Sequence, residues 1–116
     1  MKKYPVRLQD GIKEDIENII RFKGWYSSSA PSRIVAKILD CLDDLAFMPY
    51  LGHVSDYDSD YRQISVEDYM IFYLVDEERE AIEVHYILHQ SRNTERIVKT
   101  GDRSFEPESE VEEDYD

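Results

Sequence analysis

The sequence is poor in several things that particular functions require. One cysteine, Cys41, in 116 residues rules out an internal disulfide and a cysteine-based zinc site. Four scattered glycines are too few to build a phosphate-cradling loop. No apolar run approaches the roughly 18–20 residues of a membrane span. The opening Met1-Lys2-Lys3-Tyr4-Pro5 has positive charge but no apolar run behind it, so no secretory signal is expected and a cytoplasmic address follows by default. Bases are scarce as well: 14 against 26 acids, a net charge of −12. Indiscriminate phosphate binding needs a concentrated positive face, which this balance does not supply.

The acidity is uneven. Residues 101–116 hold eight acids against the single base Arg103, leaving residues 1–100 at −5. One domain over residues 1–100 with an acidic, disordered tail over 101–116 is therefore expected. Hydrophobic residues at 41% and charged residues at 34% give that domain a globular profile.

Patterning supplies the elements. Tyr4 to Leu8 alternates as an edge strand, with Pro5 removing one backbone donor. Asp10 can cap a helix whose first turn holds Glu14 and Asp15, and Ile12, Ile16, Ile19 and Ile20 draw its apolar stripe, with Gly24 as the stop. Ser27-Ser28-Ser29-Ala30-Pro31 opens a second helix along Ile34, Val35, Ile38, Leu42 and Leu45, which Met48-Pro49 ends. After a polar loop over 52–60, Tyr61–Val66 alternates as a strand, and Tyr69–Val75 is apolar on both faces like a central strand. Ala81–His89 is the last strand, with Ile82, Val84, Tyr86 and Leu88 assigned to one face. Ser91 or Asn93 then caps a short helix containing Ile97 and Val98. The fold class is α+β: an N-terminal strand, an antiparallel helical hairpin, a three-stranded antiparallel meander in the same sheet, and a short C-terminal helix.

The candidate chemistry is sparse. His85 and His89 lie about 13 Å apart on a strand at roughly 3.3 Å per residue, too far to share one ion. His53 stands alone in a loop, and neither a metal nor a cofactor is expected. Cys41, between Ile38 and Leu42, reads as a buried structural thiol. The serine run lacks a nucleophile elbow and reads as cap chemistry. Stacking on bases is one use for the nine tyrosines, but strand propensity and core filling explain most of them more cheaply.

What remains is a cationic set, Arg62, His89, Arg92, Arg96 and Lys99; residues 89–100 hold three bases and one acid. Guanidinium groups grip phosphate or carboxylate, and an imidazole moves a proton. Metal-free RNA cleavage by Arg62, His89 and Arg92 is one use of this set. Docking of an acidic protein on Arg92, Arg96 and Lys99 is another. Residue chemistry alone favours a third: local pairing of these bases with Glu95 and other acids on a solvated surface.

The segments Tyr61-to-Asp76 and Val84-to-Asn93, with the Tyr4–Leu8 strand, the two helices and the Met48-Pro49-Tyr50-Leu51-Gly52 step, resemble the RelE/ParE superfamily of type II toxins over about residues 3–99. The resemblance implies a toxin held in check by an acidic antitoxin, acting on DNA gyrase in the ParE-like branch. In the RelE-like branch it implies an enzyme that cuts mRNA in the ribosome. Met70 stands where the nuclease branch commonly has an arginine, and Val98 where it often has a tyrosine. The Ile87-Leu88-His89-x-x-Arg92-Asn93 stretch is closer to the ParE-like form. A decayed domain that keeps antitoxin binding and has lost toxicity is the remaining alternative. The acidic tail is expected to fold over Arg62, Arg92 and Arg96 and screen them.

Overall fold

A computed structural model describes residues 2–23 and 29–104. The chain runs β1 (Val6–Leu8), α1 (Ile12–Lys23), α2 (Ala30–Phe47), β2 (His53–Val54), β3 (Arg62–Val66), β4 (Tyr69–Asp76), β5 (Ala81–His89) and α3 (Thr94–Thr100). The five strands form one sheet in the order β1-β5-β4-β3-β2. The expected meander β3-β4-β5 is antiparallel throughout, and β1 joins it in parallel beside β5, Val6 opposite Ile82. The loop expected over 52–60 contains an unforeseen edge strand, β2, which pairs His53 with Gln63 and Val54 with Arg62.

The helical hairpin covers one face of the sheet. Ile12, Ile19, Ile34, Ile38, Leu42 and Leu45 meet Tyr69, Ile71, Tyr73, Ile82, Val84 and Ile87 in a single core. At roughly 1.5–3 kcal/mol per fully buried large apolar side chain, this cluster is the main source of stability. Helix α3 caps the other face, where Ile97 and Val98 pack on Phe72, Tyr86 and Leu88. Cys41 is half-buried against the first core, and desolvation raises its thiol pKa, consistent with an inert structural role.

Two details correct the sequence pattern. Ile20 is 52% exposed, whereas Asp15 is 1% exposed and takes a place on the inner side of α1. The face assigned to β5 is also split. Phe72 pairs with Tyr86 but the next residue, Tyr73, pairs with Val84, so His85 is the extra residue of a β-bulge. The bulge turns the alternation over: Ile82 and Val84 face the hairpin, whereas Tyr86 and Leu88 face α3. Strict period-2 reading cannot anticipate such an insertion.

The chain stays anchored beyond the expected boundary at residue 100, as far as Arg103, which pairs with Asp15. Gly24, Ser27, Ser28 and the acidic stretch over 105–116 lie outside the described residues, and with them the expectations of a helix stop at Gly24 and of a disordered tail. Among the described residues no helix is long and apolar enough to cross a membrane.

Candidate functional site

His89 ends β5 opposite Tyr69, the first residue of β4. Its ring lies edge-on to Tyr69 with centroids 5.1 Å apart. Nδ1 accepts from the Ser91 backbone N–H at 3.0 Å and lies 2.8 Å from Ser91 Oγ. That leaves the neutral ring's proton on Nε2, which donates to Asp68 Oδ2 at 2.9 Å. Asp68 belongs to the tight β3–β4 turn, and its carbonyl also receives the Gln90 N–H at 2.8 Å. The imidazole is therefore oriented on both sides, with its side chain only 17% exposed. Burial and the Asp68 charge push the Tyr69 phenol up to about 12.

Arg92 follows in the turn after β5. Its N–H donates to the His89 carbonyl, and its Nη2 donates to the Arg103 carbonyl. Arg96 and Lys99 are exposed on α3, where Lys99 pairs with Glu95 at 2.6 Å, one turn away. An exposed i,i+4 pair of this kind contributes about 0.3–0.5 kcal/mol.

Arg62 lies elsewhere. Antiparallel pairing puts Arg62 opposite Tyr73, and puts Val66 opposite Tyr69, which faces His89 in turn. Four residues along β3 separate it from the His89 end by about 13 Å, and two strand spacings add roughly 10 Å across. Arg62 Nε donates to the Gly52 carbonyl at 2.9 Å, and its guanidinium lies 5.0 Å from the centre of the Tyr50 ring. Around it, the Tyr4 hydroxyl donates to Glu77 at 2.5 Å and the Tyr50 hydroxyl donates to the other oxygen of the same carboxylate. These two donors hold Glu77 below the usual carboxylate range. The expected grouping of Arg62 with His89 and Arg92 is thus corrected. The register of the ladder sends Arg62 to the opposite end of the sheet; Arg92 stays joined to His89 through its backbone N–H, while its guanidinium turns to the Arg103 carbonyl.

Three residues were missed as a group: Asp68, Asp15 and Arg103. In the sequence Asp68 is one residue of a short polar link between two strands, whereas in the fold it orients His89. Asp15 was read as favourable charge in a helix's first turn, and Arg103 as the lone base of the tail. A signal existed for Asp15, which sits three residues after Ile12 and four before Ile19, on the apolar stripe. Nothing local pointed to Arg103 as its partner, because the two are 88 residues apart.

Comparison with known proteins gives this architecture a family. The solved toxin–antitoxin complex RelBE2 from Mycobacterium tuberculosis contains a chain similar in fold, with a TM-score of 0.59 and 19% identity over 75% of this chain and 98% of that one. A search of curated proteins returned no match. The family model described as ParE toxin of type II toxin-antitoxin system, parDE, matches residues 6–94. That span runs from the first residue of β1 into the start of α3 and takes in most of the chain, so the protein belongs to the ParE toxin family of type II toxin–antitoxin systems.

Proposed function

We propose that this protein is the toxin of a type II pair, acting in the cytoplasm, and that it arrests growth by docking on DNA gyrase rather than by cutting RNA. The observation that carries this reading is the separation of Arg62 from His89. Metal-free cleavage needs a base within hydrogen-bond reach of the 2′-hydroxyl and cations near the phosphorane in the same site. An arginine more than about 13 Å from the imidazole cannot serve one phosphate together with it. The −5 charge of residues 1–100 also favours a protein surface over a phosphate backbone as the target. A cognate acidic antitoxin would neutralise the toxin, with Arg92, Arg96 and Lys99 along the start and outer side of α3 as its cationic contacts.

One observation favours mRNA cleavage as the second reading. His89 is oriented by a carboxylate, and Arg92 is only three residues away, which is a partial acid–base arrangement. The test induces the chain in a bacterium, then incubates purified protein with gyrase and DNA, or with ribosomes and mRNA. Accumulation of cleaved DNA with gyrase, unchanged by His89→Ala, is the expected result. Rapid mRNA fragmentation that disappears in His89→Ala or Arg92→Ala would replace the gyrase reading with the nuclease one. Absence of any growth effect would leave only the decayed domain.

A further inference from the structure

Beyond the bulge and past the end of α3, the structure contains an arginine-binding site assembled from residues 88 positions apart in the chain. Arg103 Nε donates to Asp15 Oδ1 at 2.8 Å, and Nη2 reaches both Asp15 Oδ2 at 3.0 Å and the His85 carbonyl at 2.6 Å. The guanidinium lies 4.6 Å from the centre of the Tyr86 ring. On its remaining side is Gly11, at φ +96°, where a Cβ would overlap the guanidinium. Asp15 Oδ2 also accepts the Ile87 N–H at 2.9 Å. The carbonyl of the bulge residue His85 and the N–H of Ile87 just beyond it are both satisfied by the Asp15–Arg103 pair. Carboxylate, carbonyl, aromatic face and glycine floor together match the planar fork of a guanidinium, which a compact ammonium does not.

The position of Arg103 in the chain gives the site a consequence. Helix α3 has seven residues and ends on Gly101 at φ +77°, whose N–H closes onto the Ile97 carbonyl at 2.7 Å. A helix this short is not stable by itself. It is held to the sheet by Ile97 and Val98 in a small apolar cluster and, two residues past its C-cap, by Arg103. We propose that Gly11, Asp15, the His85 carbonyl and Tyr86 form a guanidinium socket, and that Arg103 seated in it is a latch that keeps α3 closed over Phe72, Tyr86 and Leu88. Release of the arginine lets α3 open locally while β3, β4 and β5 stay folded, exposing that apolar surface. The latch does not depend on which target the toxin has.

Hydrogen exchange on the full chain tests this, read at the Ile97 and Gly101 amides of α3 and at amides of the β4–β5 ladder. Arg103→Ala is expected to speed exchange in α3 by about tenfold or more while the ladder changes less than about twofold, the pattern of a local opening. Methylguanidinium at tens of millimolar should fill the socket in Arg103→Ala and slow exchange at the Ile87 amide that Asp15 accepts. It should not restore α3 protection, because it carries no tether, and Arg103→Lys should behave like the alanine variant. Because Arg103→Ala strands a buried carboxylate and can unsettle the whole fold, the double variant Asp15→Asn/Arg103→Ala is measured beside it. It should show the same α3-specific acceleration and no response to methylguanidinium. Unchanged α3 exchange in both variants overturns the latch, as does equal acceleration of α3 and ladder in the double variant. Equal protection of single and double variants by methylguanidinium overturns the socket.

Discussion

Removing one oxygen atom from the centre of β4 tests how the Arg62 end of the sheet is held together. Tyr73 is fully buried, and its hydroxyl donates to the Pro49 carbonyl at 2.9 Å while accepting the Gly52 N–H at 2.9 Å. These two bonds tie the turn after α2 to the middle of the sheet, which places the Gly52 carbonyl under Arg62 and sets up β2. Tyr73→Phe keeps the ring and its packing but leaves a donor and an acceptor without their partner. Each orphaned group costs about 1–3 kcal/mol, so a loss of about 2–6 kcal/mol is expected. In urea, with a slope of about 1.5 kcal/mol/M, the midpoint should fall by roughly 1.3–4 M with the slope unchanged. A loss below about 1 kcal/mol would refute the reasoning, because it would mean that water reaches Pro49 and Gly52 and replaces the hydroxyl.

Two further outcomes follow from neighbouring geometry. A Cβ at Gly52 would lie 2.6 Å from the Gln63 carbonyl oxygen, a backbone atom with little freedom to move, so Gly52→Ala should destabilise by about 1–3 kcal/mol in the same urea assay; an unchanged midpoint would show that the close approach is not constraining. The Tyr69 phenol, raised to about 12 by burial, stays neutral in the folded chain while the unfolded chain ionises near the ordinary value of 10. Its contribution is thus intact below pH 10 and is lost as pH rises to 12, by about 2.7 kcal/mol. Tyr69→Phe should flatten that fall between pH 9 and pH 12, and equal slopes for variant and parent would show that Tyr69 is not responsible.

Legibility differed between the fold and the site for a physical reason. The helices were readable because Ile34, Ile38, Leu42 and Leu45 repeat at the spacing that puts them on one buried face. The strands of the meander were readable because short polar turns separate apolar runs, and β4 buries both faces of its central residues, as its unbroken apolar sequence implied. The face of β5 was not readable, since one extra residue at His85 reverses every later side chain without changing composition. Nor was β2, a two-residue edge whose pairing owes everything to its neighbour β3.

The site residues were identifiable by type and misjudged in arrangement. Arginines and histidines that sit near each other on the page can be sent to opposite ends of a sheet by a hairpin, as Arg62 and His89 are. The buried Asp15–Arg103 pair looks, in sequence, like two unrelated charged residues, with only the place of Asp15 on the apolar stripe to mark it.

By itself, then, the sequence determined the order and type of the main elements, because helix and strand periodicities are local properties of neighbouring residues. The tertiary structure alone decided which groups share a site, because strand register, a bulge and an ion pair spanning 88 residues are set by contacts between segments far apart in the chain.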